Sequence, residues 1–264
     1  MMNAISDKRI VIKIGTSTLT HESGLINVRR FEELVKVLSD LKNAGCKLIM
    51  VSSGAIAVGV GKLGLDKKPE TIPGRQACAA IGQCELMYLY DELFGRFNHN
   101  VAQLLLTKDI TDDEVRVQHV QNTIDTLLEM KVIPIINEND TVAVDEIVFG
   151  DNDTLSAIVA VLSKADGLVI MSDIDGLYTA NPRTDEDAKL IPRVDLGEED
   201  VEHLAEGVGS ARGTGGMITK IHAAKLCYPE GIPMWILNGA DPKILYNLLD
   251  DKPVGTYFIP KGGE

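Results

Sequence analysis

Asp151, Asn152 and Asp153 stand directly before Leu155, Ile158, Val159 and Leu162, whose spacing is that of one buried helix face. One Asp or Asn at such a junction is an ordinary N-cap. Two carboxylates and an amide together exceed what a cap needs. Two cationic clusters lie far from them in sequence. Lys13 interrupts the apolar run "RIVIKIG" (9–15), just before Gly15. An ammonium there costs free energy unless it meets an anion. It is either an edge-strand residue facing solvent or a cation at a strand end, beside a glycine whose N–H can approach a phosphate. In "GTGGMITK" (213–220), Gly213, Gly215 and Gly216 precede a helix pattern and Lys220 lies one turn in. A glycine-rich turn feeding a helix N-terminus is an anion site; the alternative is a flexible loop with a surface lysine. It is not a P-loop, because GxxxxGK[ST] occurs nowhere in the chain.

Two further stretches are polar where apolar runs end. "SSGA" (52–55), with Ser53 and Gly54, reads as a strand-to-helix turn. GxSxG is absent and no His has an evident place beside Ser53, so serine hydrolysis is not indicated. "NEND" (137–140) offers Asn137, Asn139 and Asp140 either to a ligand or simply as a polar strand exit. "GVGKLG" (59–64) satisfies GxGxxG, but "SSGAIAV" separates it from the strand ending near Val51. A dinucleotide fingerprint needs glycines immediately after a strand, so this motif reads as a helix-ending loop.

The elements that must position these residues alternate regularly. Near-continuous apolar runs at 9–15, 47–54, 101–107, 132–140, 167–173 and 233–239 read as strands buried on both faces. Helix patterns lie between them. Phe31, Leu34, Val35, Leu38 and Leu41 form one stripe, with Asn27 as N-cap and Gly45 as stop. Further helices are expected over 74–98, 117–130, 154–164, 217–228 and 242–250, and antiparallel ribbons around 141–149 and 176–194. This order implies one α/β domain with a mainly parallel sheet and helices on both faces. Ligands of such sheets bind at the carboxyl ends of the strands. That is where "KIGTS" (13–17), "SSGA", "NEND" and "SDIDG" (172–176) collect.

Composition narrows the classes. The 264 residues are 45% hydrophobic and 25% charged, with a net charge of −13. Such a surface repels a phosphate backbone, so no nucleic-acid partner is expected, although a few lysines can dominate one pocket. Cys46, Cys78, Cys84 and Cys227 show no CxxC and no ligand-like pairing, and read as reduced thiols of a cytoplasmic protein. The five histidines form no metal pattern, so no metal centre is expected. "MMNAISDKR" lacks the apolar segment of a signal peptide. No apolar run approaches the roughly 18 residues of a membrane span, so no membrane partner is expected.

"VIKIGTSTLT" (11–20), "VSSGAIAVG" (51–59), "VIPIINENDTVA" (132–143), "FGDNDTLSA" (149–157), "SDIDGLYTANPR" (172–183) and "GTGGMITKIHAA" (213–224) resemble, in order, the motifs of the amino acid kinase family. The likeness runs on to "VGTYFIP" (254–260). "IINEND" and "GDND" resemble the branch acting on glutamate rather than those acting on aspartate, acetylglutamate, carbamate or UMP. The resemblance implies a three-layer αβα sandwich around a mainly parallel sheet of about eight strands. It implies transfer of the ATP γ-phosphoryl group to the γ-carboxylate of L-glutamate, giving glutamyl 5-phosphate, the first intermediate of proline biosynthesis. By the same resemblance Lys13 and Lys220 contact the phosphates, and Asp153 orients both lysines. Gly15, Ser172, Asp173, Thr214, Gly215, Gly216 and Met217 line the ATP side. Ser53, Gly54, Asn137, Asp140, Asp151 and Asn152 belong to the glutamate side. Many bacterial relatives add a C-terminal PUA domain, and residues 1–264 are expected to be the kinase domain alone, without it. Family traits also include dimers or tetramers, proline feedback inhibition, and a labile product that suits handover to a glutamyl phosphate reductase.

The chemistry agrees with the residue types. A carboxylate acceptor is already ionised at neutral pH and needs no general base. A loose phosphoryl transition state needs cations and oriented N–H donors. Mg²⁺ is expected to ride on the ATP phosphates, so no carboxylate cage is required. Asp140 and Asp151 suit the substrate's ammonium, Asn152 and the helix N-terminus its α-carboxylate, and Asp153 holds two repelling lysines close.

Overall fold

The computed structural model describes residues 7–142, 152–198, 201–205, 216–250 and 252–263. Its strands are β1 (Arg9–Ile14), β2 (Lys47–Ser52), β3 (Val101–Leu106), β4 (Ile133–Glu138), β5 (Gly167–Ser172), β6 (Arg193–Val194), β7 (Met234–Asn238) and β8 (Thr256–Phe258). Among the described residues they form one eight-stranded sheet in the order β3-β4-β2-β1-β5-β7-β8-β6. Every pairing is parallel except β7 with β8. The six strands expected from apolar runs are all present. All six stop short of the expected end, because the terminal Gly, Ser, Thr, Asn and Asp residues leave the ladder to form the loops above it. The ribbon expected around 176–194 reduces to one antiparallel bridge, Tyr178 with Leu190, and Arg193–Val194 instead pairs parallel with β8. Of the ribbon expected at 141–149, all but Thr141 and Val142 lies outside the described residues.

The helices are α1 (Thr16–Leu19), α2 (Val28–Asn43), α3 (Ala55–Leu63), α4 (Ile72–Gly95), α5 (Glu114–Glu129), α6 (Asn152–Leu162), α7 (Met217–Cys227) and α8 (Leu245–Leu249). Asn27 caps α2 by accepting the Arg30 N–H at 3.2 Å. Helices α4 and α5 begin earlier than their apolar patterns suggest, because Thr71 and Asp113 cap them.

The sheet is buried on both faces. Ile10, Ile12 and Ile14 of β1 pack into one core with Phe31, Leu34 and Leu38 of α2 and Leu86 and Tyr90 of α4. Val11 packs into the other, with Leu155 and Val159 of α6 and Ile221 and Ala224 of α7. Side chains alternate along a strand. Lys13 therefore shares the face of Val11 and is delivered to the α6/α7 layer at the carboxyl end of β1. The register of one strand thus aims this lysine.

"GVGKLG" ends a helix, as expected, but most of it is the last turns of that helix rather than a loop. Gly59 and Gly61 lie inside α3, and Gly64, at φ +63°, closes it. The reason is close packing. A Cβ on Gly59 would lie 1.9 Å from the Cys78 carbonyl oxygen, and one on Gly82 of α4 would lie 1.8 Å from that of Ala55. The two helices touch backbone to backbone. Gly82→Ala should stabilise by about 1 kcal/mol if helix propensity governs and destabilise by about 1–3 kcal/mol if overpacking does. The contact distance predicts destabilisation, read as a lower urea midpoint with an unchanged m-value.

Candidate active site

Strand β1 lies between β2 and β5, and the chain leaves it toward β2 first and returns later to β5. This is the topological switch point at which an open α/β sheet parts to admit a ligand. A cavity of about 710 Å³ opens there. Loops after β1, β2, β4 and β5 line it, together with the first turn of α6 and Lys220 of α7.

At its floor three charges converge. Lys13 Nζ lies 2.7 Å from Asp153 Oδ1, and Lys220 Nζ lies 2.9 Å from Asp153 Oδ2. All three are buried, Asp153 to 1% exposure and Lys220 to 4%. Thr219 Oγ1, also 2.8 Å from Asp153 Oδ2, adds a donor. Burial alone would push the Asp153 carboxyl up, but the charges and hydrogen bonds of the two ammonium groups hold it well below the usual carboxylate range. Its place in the first turn of α6 adds the favourable end of the helix dipole. Two cations and one anion leave this trio one positive charge in excess, at a site shielded from water. An anionic ligand is the natural counterpart.

Above the trio a ring of polar side chains joins three elements. The Asn152 amide nitrogen donates toward Ser52 O at 2.8 Å, Asn137 Oδ1 at 2.9 Å and Ser53 Oγ at 3.0 Å. Asn137 Oδ1 also accepts the Glu138 N–H, and its amide nitrogen donates to Gln83 Oε1 at 2.8 Å. The Ser52 carbonyl can only accept, and Asn137 Oδ1 already takes an N–H, so this face of Asn152 must be its donor. What Asn152 retains for a ligand is its carbonyl oxygen, an acceptor. That suits an ammonium, not the α-carboxylate expected from the sequence. Gly54, at φ +96°, makes the turn from β2 into α3 that a residue with a Cβ rarely adopts.

Asp140 lines the cavity mouth together with Asp66, Lys67 and Lys68 of the α3–α4 loop. Burial pushes the Asp140 carboxyl up to about 6, with Lys68 opposing. Gly15, Ser172 and Asp173 line the same cavity. Asp173 is ion-paired with Arg183 at 3.2 Å. Gly216 is the N-cap of α7, and the Met217 side chain is buried in the core rather than in the cavity wall. Asp151, Thr214 and Gly215 lie outside the described residues.

The fold thus unites Lys13, Ser53, Gly54, Asn137, Asp140, Asn152, Asp153 and Lys220, drawn from both halves of the chain, around one cavity. Sequence reading overlooked Thr219, Gln83, Glu138 and Lys68. Thr219 adjoins Lys220 inside the glycine motif, and Glu138 lies within "NEND", so both were within reach. Gln83 sits mid-helix and Lys68 in a polar loop, where nothing in the sequence separates them from surface residues.

Comparison with known proteins gives the same picture. The model of the amino acid kinase family matches residues 8–238. A Clostridium perfringens protein named glutamate 5-kinase is 53% identical over the full length of both chains. A Listeria monocytogenes protein of the same name is 49% identical over 98% of this chain and 95% of its own. Among solved structures, carbamate kinase from Giardia lamblia bound to AMP-PNP superposes with a TM-score of 0.68 at 18% identity, covering 98% of this chain and all of its own. UMP kinase from Bacillus anthracis gives 0.61 at 15% identity, covering 96% of each chain. At those identities the structures speak for the fold alone. Family match, full-length relatives, sheet order and the cation-lined cavity agree: this chain belongs to the amino acid kinase family.

Proposed function

We propose that the chain transfers the γ-phosphoryl group of ATP to the γ-carboxylate of L-glutamate, the reaction that the name of its curated relatives denotes. The observation that carries this reading is the buried Lys13–Asp153–Lys220 trio facing a ring of acceptors across one cavity. A γ-carboxylate oxygen attacks the γ-phosphorus, the bond to the β-phosphate's bridging oxygen breaks, and ADP departs with that electron pair. No proton moves, so no general base is needed.

In this reading Lys13 and Lys220 stabilise the charge that spreads over the transferring oxygens, and Asp153 holds their ammonium groups at a fixed separation. Gly15, Ser172 and Asp173 border the nucleotide. Asp140 and the Asn152 carbonyl oxygen receive the substrate's ammonium. The residues fit a magnesium ion carried by the nucleotide rather than by the protein. The Asp153 oxygens are committed to the lysines, and no group of three His, Cys, Asp or Glu is placed to cage a metal among the described residues. Such an ion supplies charge neutralisation on the phosphates. No helix among the described residues is long and apolar enough to cross a membrane.

The test is trapping of the acyl phosphate with hydroxylamine in the presence of Mg-ATP. L-glutamate should yield hydroxamate. Aspartate, acetylglutamate and carbamate should yield no phosphorylated product, and UMP no UDP. Product from any of these in preference to glutamate would refute the assignment.

The Asp140 carboxyl sets a pH limb. Ionised, it attracts the substrate's ammonium; protonated, it does not. Because it titrates near 6, kcat/KM for glutamate should fall as pH drops through that value, approaching tenfold per unit. The substrate's own γ-carboxyl, near 4.3, titrates too low to produce this limb. Asp140→Asn should remove the limb and raise KM for glutamate by roughly 10–100-fold, the worth of a hydrogen bond to a charged group. KM for ATP should scarcely change. Steady-state profiles from pH 5 to 8 read both effects, and equal rises in the two KM values would contradict them.

A further inference from the structure

The ring above the lysine trio is rich in acceptors, but an amino acid also carries an α-carboxylate that needs a donor. The Asn152 amide nitrogen is already engaged by three protein oxygens. Four lysines line the cavity: Lys13, Lys67, Lys68 and Lys220. Lys13 and Lys220 are committed to Asp153 at the floor, and Lys67 pairs with Glu70 at 2.8 Å. Lys68 interacts electrostatically with Asp140 across the mouth. The loop that carries Lys68 is tied down. Arg75 Nε donates to the Pro69 carbonyl at 2.9 Å, and Gln76 Nε2 donates to the Thr141 carbonyl at 3.2 Å. The start of α4 thereby fastens the Lys68 loop to the turn that carries Asp140.

We infer that Lys68 is the α-carboxylate-binding residue of the acceptor site, so that Lys68 and Asp140 read the two charges of a zwitterionic amino acid as a pair. This rests on the acceptor being L-glutamate, as proposed above. A zwitterion presents its ammonium and carboxylate on one carbon, and the site answers with an anion and a cation from facing loops. The chemistry is complementary in sign. Burial and the Arg75 charge both lower the Lys68 pKa while Asp140 raises it. A substrate carboxylate would relieve the repulsion from Arg75. The pair also sets specificity. Glutarate lacks the group that Asp140 reads, and 4-aminobutyrate lacks the group that Lys68 reads.

The experiment compares the wild-type chain with Lys68→Met and Lys68→Arg. Lys68 is exposed and lies in a loop, so both variants should fold. Hydroxamate assays give KM for glutamate and for ATP, and calorimetry gives dissociation constants for L-glutamate, glutarate and 4-aminobutyrate. Lys68→Met should raise KM for glutamate about 10–30-fold, within the range of hydrogen bonds to charged groups, with KM for ATP changing less than about twofold. Its binding preference for L-glutamate over 4-aminobutyrate should collapse by the same factor, while the preference over glutarate stays. Lys68→Arg should restore most of the loss. A merely structural lysine would weaken all three ligands together, and an unchanged glutamate to 4-aminobutyrate ratio overturns the inference. Wild-type chain that binds L-glutamate but forms no hydroxamate would refute the proposed reaction, and the binding ratio would still decide the role of Lys68. Wild-type chain that does not bind L-glutamate would overturn both.

Discussion

Lys220→Met is expected to lower kcat by roughly 10²–10³-fold, the cost of losing one pre-placed donor to developing charge, while KM for ATP moves by less than about threefold. Lys220 is buried and its ammonium is fixed 2.9 Å from Asp153. A group so placed spends little reorganisation as charge shifts to the transferring oxygens. Binding that is stronger in the transition state than in the ground state appears in kcat, not in KM. Methionine keeps the side chain's length and apolar stem. The Lys13–Asp153 pair that remains is electrically neutral, so the fold should survive, and a thermal midpoint close to wild type is the control. Undiminished turnover would remove Lys220 from the chemistry.

Asp153→Asn should be costlier to the fold than to any other property of the chain. Wild-type Asp153 separates two buried ammonium groups. Without its charge the two ammonium groups lose the carboxylate that lies between them, and removing one partner of a buried ion pair costs about 3–5 kcal/mol. The pH dependence follows from linkage. The folded-state pKa of Asp153 lies below its unfolded value, so its contribution is present above the unfolded pKa and fades only as pH falls toward the folded one. Neutral solution keeps all of it. Adding Lys13→Met to Asp153→Asn removes the repulsion and should restore much of the unfolding free energy without restoring turnover. Urea titrations at pH 7 read both variants against the wild type. A single variant as stable as wild type at pH 7 would show that Asp153 does not serve as the lysines' spacer.

How much of this was legible in the sequence differs by residue. Lys13 was legible because a charge within an apolar strand is costly, and the alternation of β1 shows where it goes. Asp153 and Lys220 were legible as excess over ordinary capping and loop chemistry, but their meeting, across 67 positions, was implied only by family resemblance. β8 escaped because three residues carry no period. The spacing of "GVGKLG" from β2 ruled out cofactor binding, but its role in backbone contact was not legible, because the approach of Cys78 to Gly59 comes from another helix. The donor role of the Asn152 amide depends on partners from two other elements, and so does the facing of Lys68 and Asp140. Local composition cannot encode such pairings.

In the proposed reaction an oxygen of the substrate's γ-carboxylate, not water, takes the phosphoryl group. L-glutamate labelled with ¹⁸O in that carboxylate, incubated with Mg-ATP and hydroxylamine, tests this directly. Hydroxylamine attacks the acyl carbon and expels phosphate with the bridging oxygen. Each phosphate released should therefore carry one ¹⁸O atom, in step with hydroxamate formed. Phosphate free of label would show transfer to water, and the mechanism built on the two lysines and an anionic acceptor would be wrong.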